Sequence, residues 1–116
     1  MPPKAEIIEI LDRTEKYLNE VLLPFWTQRS VDRECGGFLT YFDRDGKPTG
    51  QTDKTFLGQI RMLYSMSSTH RYGFGGGRCA ELATWAADFI LEHFWDAEHE
   101  GWNWIADRSG KITVAG

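Results

Sequence analysis

Arg61 has the chemistry and the setting to contact a ligand, because it lies inside the most apolar helical stretch of this chain. Small and apolar side chains surround it at helical spacing and leave room for a ligand. These neighbours are Leu57, Gly58, Tyr64, Ser65 and Ser68. A guanidinium binds oxygen anions through a fixed fork of donors. The alternative is a structural arginine paired with a buried carboxylate or with loop carbonyls, and both interpretations stay open on the residues alone.

The tryptophans are a second group with ligand-binding chemistry, since an aromatic face can stack on a flat ligand ring. The candidates are Trp26, Trp95, Trp102 and Trp104. Most of them recur at equivalent places in an internal repeat, which favours a role in wedging hairpins onto helices. Trp104 is different because its equivalent is Thr40, so Trp104 is the candidate for substrate contact.

Several acidic residues could form the carboxylate pair of a glycosidase, namely Asp32, Asp43, Asp45 and Asp107. Asp43 and Asp107 recur at turn positions, where aspartate bonds its own backbone, so turn structure is the favoured interpretation. A metal-binding cluster is a further possibility, formed by His93, Asp96, Glu98, His99 and Glu100. Its two histidines span a helix end and a loop rather than one helical turn, so we expect no metal and no cofactor.

Two other features are expected to have no catalytic role. The glycine-rich segment 73–77 follows a helix rather than a strand and lacks a Gly-Lys-Ser/Thr sequence, so it predicts a connection rather than a phosphate loop. Cys35 and Cys79 have no partner base in view and predict neither a nucleophile nor a disulfide framework.

Composition narrows the class of protein. The chain has 116 residues, a formal net charge of -4 and no basic run, which argues against a nucleic-acid partner. No apolar stretch is long enough for a membrane span, and the N-terminus has no signal-peptide pattern. These features predict a soluble, cytoplasmic protein that acts without a membrane.

Hydrophobic spacing predicts three helices joined by a hairpin. The first covers 4–23 and is amphipathic, with Pro24 ending it. The second covers 53–70, with Asp53 as N-cap, and is apolar nearly all round, as in helices buried on most sides. The third covers 78–94 and is again amphipathic. Between the first two, a β-prone run followed by Asp45-Gly46 predicts a hairpin.

The chain repeats itself. Phe25-Trp26 matches Phe94-Trp95, Gly37-Phe38 matches Gly101-Trp102, and Asp43–Lys47 (DRDGK) matches Asp107–Lys111 (DRSGK), the last two pairs at an offset of 64 positions. One unit is therefore an outer helix, a hairpin and an inner helix. Stacked units need about three or more neighbours for stability. Since the chain holds about one and a half to two units, 1–70 and 78–116, we expect a partial domain that could self-associate.

The order and spacing of several short motifs resemble the N-acylglucosamine 2-epimerase and cellobiose 2-epimerase superfamily. They are Leu23–Trp26 (LPFW), Asp32–Phe38 (DRECGGF), Asp43–Lys47, Lys54 with Gln59–Arg61 (QIR), and Gly101–Trp104 (GWNW) with Asp107–Gly110 (DRSG). The resemblance implies an all-α fold, an (α/α) six-hairpin toroid with short β-hairpins in the connecting loops. Residues 1–116 would be the N-terminal part of one such toroid domain.

The resemblance also implies an activity: a carbohydrate 2-epimerase or an aldose–ketose isomerase acting on a mono- or disaccharide. The family uses two histidines as acid and base, with an arginine near the sugar's carbonyl oxygen. Only the arginine maps onto this chain, as Arg61; His70, His93 and His99 match none of the family's histidines. Trp104 would then contact the sugar, and the 116 residues alone would be inactive.

Two alternatives stay open. A glycoside hydrolase or lyase on a similar barrel would need an acid pair at inner-helix ends, and the interior of 53–70 has none. The other alternative is a truncated, non-catalytic piece.

Overall fold

The computed structural model describes residues 2–116 of the chain. Three helices dominate: α1 is Lys4–Tyr17, α2 is Phe56–Arg71 and α3 is Arg78–Phe89. π-Helical turns extend α1 at Leu18–Leu22 and Phe25–Arg29, and extend α3 at Ile90–Phe94. A 3-10 turn, Gly75–Gly77, joins α2 to α3, and its three glycines all have positive φ. The segment is thus the predicted connection between helices.

Five short strands lie in the connecting loops. They are β1 (Lys54–Thr55), β2 (Trp95–Asp96), β3 (Gly101–Trp102), β4 (Ile105–Ala106) and β5 (Ile112–Val114). One antiparallel sheet has the order β1-β4-β5, and β2 pairs with β3 in a second. In the first hairpin, Phe42 bridges Pro48. The predicted class, helices with short β-hairpins between them, is confirmed.

Pro24 does not end the first helix, so that prediction is wrong. Its φ of -57° and ψ of -40° are helical, and the helical backbone continues to Arg29. A proline ring crowds the carbonyl four residues earlier and removes one N–H donor. π-Helical turns lie on both sides of Pro24. Their wider geometry lets the chain pass the proline without breaking.

α2 begins two residues later than predicted. Lys54 and Thr55 pair with β4 as strand β1, so the helix cannot start at Asp53. Thr55 is the N-cap instead, and its Oγ1 accepts the Gly58 N–H at 2.9 Å. The sheet and the helix therefore share one junction, which fixes α2 relative to β4.

The core lies between α2, α3 and the first hairpin. Its buried apolar members are Val31, Phe38, Met62, Met66, Cys79, Leu82 and Ala86. Gln59 joins the hairpin to α2, since its Oε1 accepts the Phe38 N–H and its Nε2 donates to the Phe38 carbonyl, both at 2.9 Å. A second cluster, formed by Phe89, Phe94 and Ala106, seats β4 against α3.

The expected burial of α2 on most sides is wrong for this chain. Leu57 is 52 % exposed and Tyr64 is 73 % exposed, so one face of α2 is open. α1 contributes no buried residue, and its apolar side chains, Ile7 to Leu11 among them, lie on the surface.

Candidate functional site

Arg61 lies on the open face of α2, on the same side as Leu57 and Tyr64. Its side chain is exposed. Within residues 2–116 no carboxylate lies within ion-pair distance of Arg61. The buried-carboxylate alternative therefore does not describe Arg61 in this structure, and its guanidinium is available to a ligand.

Trp104 stands at the N-terminal end of the same helix. Its backbone N–H donates to the Val114 carbonyl at 2.9 Å, and its carbonyl accepts the Phe56 N–H at 2.8 Å. These bonds fix the backbone of Trp104, while its side chain is 59 % exposed. The backbone that carries the indole is thus fixed, and the indole is open to a ligand.

Leu57 relates the two predicted site residues, since it shares a helix face with Arg61 and a cleft with Trp104, while Arg61 itself lines neither cleft. Leu57 lies one turn before Arg61 and, together with Trp104, lines two adjoining surface clefts. Trp102 lines one of these clefts and stacks on Phe56, with ring centroids 5.0 Å apart and planes 19° apart. The resulting surface combines aromatic faces with a cation one helical turn away, which suits a ring-shaped ligand that carries oxygen atoms.

Trp26 takes the other role considered for the tryptophans. Trp26 packs against the core cluster and lies edge-on to Phe25 and Phe42. Trp95 pairs with Trp102 across β2 and β3. Trp26 therefore wedges the first hairpin onto the helices, whereas Trp95 contacts the neighbouring strand of its own hairpin.

The aspartates in the repeated turns are structural. Asp43 Oδ1 accepts the N–H groups of Asp45 and Lys47 at 2.8 and 2.9 Å. Asp107 Oδ1 accepts those of Ser109 and Lys111 at 2.9 and 3.0 Å. The turn interpretation is confirmed. The Ser109 hydroxyl also lowers the pKa of Asp107, which keeps this carboxylate charged in its turn.

Asp32 forms a buried ionic cluster that sequence reasoning missed. Lys54 Nζ lies 2.7 Å from Asp32 Oδ2, and both side chains are fully buried. Arg108 reaches the same carboxylate with two bonds of 3.0 Å, from Nε to Oδ2 and from Nη2 to Oδ1. Each of these three residues lies in a short sequence motif. The residues that pair with one another are far apart along the chain, so no local motif shows the pairing.

The charges in this cluster follow from its hydrogen bonds. Burial opposes the charge on Asp32, yet the donors of Arg108, Lys54 and the Cys35 backbone outweigh it and lower the pKa of this carboxyl to about 2. Burial also lowers the pKa of Lys54, against the pull of Asp32. Lys54 Nζ nevertheless donates to three acceptors, Asp32 Oδ2 and the carbonyls of Gly36 and Arg108, at 2.7–2.8 Å. Three acceptors match the three protons of an ammonium, so Lys54 is charged.

The structure extends the sequence repeat to the loop that begins at Asp32. Asp96 lies 64 positions after Asp32, and its Oδ1 accepts the N–H groups of Glu98 and His99 as Asp32 Oδ1 accepts those of Glu34 and Cys35. This common offset is the signal by which sequence reasoning could have found the loop.

The histidines are held apart from one another. His99 Nδ1 lies 2.9 Å from Asp96 Oδ2, and that contact lowers the pKa of Asp96. His93 packs on the Phe89 ring, with centroids 4.5 Å apart. His70 lies in the last turn of α2 and is exposed. None of the three lines either cleft beside Trp104.

The cysteines are both free. Burial raises the pKa of the Cys79 thiol, as expected for an inert helix residue, and Cys35 is half-buried.

No helix within residues 2–116 is long and apolar enough to cross a membrane.

Comparison with known proteins identifies the family. The model of the family described as N-acylglucosamine 2-epimerase (GlcNAc 2-epimerase) matches residues 36–115. The chain belongs to this family. It is 32 % identical to a cellobiose 2-epimerase of Bacteroides fragilis over 84 % of the chain, and 37 % identical to a mannose-6-phosphate isomerase of Rhizobium meliloti over 52 %.

The fold of this N-acylglucosamine 2-epimerase family member agrees with solved structures. The cellobiose 2-epimerase of Spirochaeta thermophila superposes with a TM-score of 0.85 at 22 % identity, over 96 % of this chain and 27 % of that one. The predicted α/α toroid fold is therefore confirmed for the part present. The chain spans 24 % of the Bacteroides relative and 15 % of the Rhizobium one.

Proposed function

We propose that this chain forms the first part of a sugar 2-epimerase or aldose–ketose isomerase, in which residues 1–70 and 78–116 are the first units of one toroid domain. The observation that carries the proposal is the placement of Arg61. It is exposed, it has no carboxylate partner within residues 2–116, and it lies on the face of α2 that borders the clefts beside Trp104. Substrates would be small sugars, mono- or disaccharides.

The chemistry explains the need for such a cation. Removing the proton at C2 of a sugar aldehyde places negative charge on the carbonyl oxygen, giving an enediolate. A fixed guanidinium beside that oxygen lowers the barrier because the charge develops only in the transition state. Returning the proton to the other face of C2 gives the epimer; returning it to C1, while the O2 proton moves to O1, gives the ketose. Trp104 would hold the sugar ring by stacking.

The proton-transferring groups are not provided by this chain. His99 is bound to Asp96, His93 packs on Phe89, and His70 is at the far end of α2 from Trp104. We therefore expect no turnover of cellobiose, mannose or N-acetylglucosamine by the 116-residue chain. Robust epimerisation by this chain would contradict the proposal.

A hydrolase or lyase is a weaker candidate. Such an enzyme needs a free carboxylate pair. Asp43 and Asp107 are committed to their turns, and Asp32 is bound by two cations.

The exposed apolar side chains of α1 support self-association of a partial toroid, which sedimentation at increasing concentration would detect.

A chimera tests the role of Arg61. This chain replaces the matched quarter of the Bacteroides fragilis cellobiose 2-epimerase, and epimerisation of cellobiose is measured. Losing one fixed donor to a developing oxyanion costs about 100-fold in kcat, so we expect a loss of that order for Arg61→Lys. Arg71→Lys, at the exposed end of the same helix, is the matched control and should keep full activity. Equal activity of both variants, or a folded chimera with no activity, would count against the proposal.

A further inference from the structure

The hairpin formed by β4 and β5 is attached to the first unit by the pairing of β4 with β1 and by two further contacts. Near one end, the Trp104 carbonyl accepts the Phe56 N–H at 2.8 Å, at the start of α2. At the other end, the turn between the strands carries Arg108, which reaches back to Asp32. The ladder joins only residues 54–55 to residues 105–106, so the contacts of Arg108 with Asp32 and Lys54 attach the turn of the hairpin to the first unit.

The second attachment is specific in geometry. Arg108 grips both oxygens of Asp32 with two bonds of 3.0 Å, and its own carbonyl accepts Lys54 Nζ at 2.8 Å. Lys54 lies in β1, immediately before the N-cap of α2. The Arg108 turn is therefore bound through its side chain to Asp32 and through its backbone to Lys54, in the strand that leads into α2. A bidentate guanidinium–carboxylate pair fixes both distance and orientation.

Formation of the turn itself does not need this ion pair. Arg44 occupies the equivalent place in the first turn, which forms the same aspartate and backbone bonds. Among residues 2–116, Arg44 has no carboxylate within ion-pair distance. The extra contacts of Arg108 therefore act on the placement of the hairpin rather than on the shape of the turn.

We propose that Arg108, held by Asp32, is a positioning residue for the candidate sugar site: it keeps the hairpin of Trp104 aligned with the face of α2 that carries Arg61. The role rests on the proposed function, because it matters to a sugar only if Trp104 and Arg61 contact one. Leu57 reports the alignment, since it is one turn before Arg61 and lines both clefts beside Trp104.

The experiment measures that alignment in the 116-residue chain by NMR. The readout is the nuclear Overhauser contact between the Leu57 methyl groups and the Trp104 indole, compared among the wild type, Arg108→Gln and Arg44→Gln. Arg44→Gln is the matched control, because it changes the same position of the same turn one repeat earlier. We expect Arg108→Gln to lose the contact between Leu57 and Trp104. The chemical shift of the Trp104 indole should change in this variant, while that of Trp26 stays the same. Arg44→Gln should keep the contact. Arg108→Lys retains the charge but not the paired bonds, so it should weaken the contact several-fold.

A role in stability alone gives a different result. Arg108→Gln would then melt at a lower temperature but keep the Leu57–Trp104 contact below its transition, and that outcome overturns the proposal, as would a wild type with no such contact. If Arg108→Gln does not fold, Arg108→Lys decides by the same readout. No sugar enters this experiment, so its failure is distinct from failure of the proposed function, which depends on Arg61 in the chimera.

Discussion

Replacing Asp32 by Asn should remove much of the stability of the chain. The carboxylate is fully buried and holds the charges of Lys54 and Arg108. An amide of the same shape leaves Lys54 buried without its anion, and breaking a buried ion pair in this way costs about 3–5 kcal/mol. Domains of this size have a total stability of about 5–15 kcal/mol. Asp32→Asn should therefore lose a large part of the stability of the chain.

The pH dependence gives an independent measure of the same interaction. The pKa of Asp32 falls from an ordinary 3.8 to about 2 on folding, so the folded state binds this proton less readily than the unfolded state does. The corresponding stability, on the order of 2–3 kcal/mol, is complete above the unfolded pKa and is lost as the pH falls from about 4 towards 2. Asp32→Asn lacks the titrating group and should lack this component of the acid response.

The assay is equilibrium urea unfolding of the wild type and Asp32→Asn at neutral pH and at steps between pH 4 and pH 2. Asp96→Asn is the matched control, because Asp96 has the same loop bonds but only His99 on its second oxygen. We expect Asp96→Asn to lose much less stability than Asp32→Asn. The reasoning is refuted if the two variants lose equal stability at neutral pH, or if the wild type and Asp32→Asn lose stability in parallel below pH 4.

Two further substitutions test the packing that supports the site. Gln59→Leu should lower the free energy of unfolding, measured in urea, by about 2 kcal/mol or more, because it leaves the buried N–H and carbonyl of Phe38 without partners. A change below about 0.5 kcal/mol would contradict this reasoning. Gly110→Ala should lower the melting temperature well below that of the matched control Gly50→Ala. Both glycines have positive φ. A Cβ on Gly110 would collide with the His93 ring, whereas a Cβ on Gly50 would meet open space. Equal melting temperatures of the two variants would disprove the packing argument.

Local features of this chain could be predicted from its sequence because short-range geometry determines them. The turns at Asp43 and Asp107 are an example, since the bonds of each aspartate reach only two to four residues ahead. α3 was also correctly placed. Pro24 was predicted wrongly, because its effect depends on whether the adjacent turns can widen, and no residue type signals that.

The arrangement of the candidate site could be predicted only in part. Helical spacing put Arg61, Leu57 and Tyr64 on one face, and the structure agrees. The same apolar spacing predicted burial of that face, which is open here. Periodicity shows which residues share a side of a helix, but what covers that side depends on other segments.

Asp32 and Asp96 show why the buried cluster escaped prediction. Their loops have the same aspartate bonds, and even the left-handed residue four positions on is retained, as Gly36 with φ of 89° and as Glu100 with φ of 52°. The two carboxylates differ in the side chains that bind them. Asp32 is bound by cations 22 and 76 positions away, whereas Asp96 is bound by His99, three positions away. A sequence repeat thus specifies the loop twice, and long-range pairing decides which copy becomes a buried anchor.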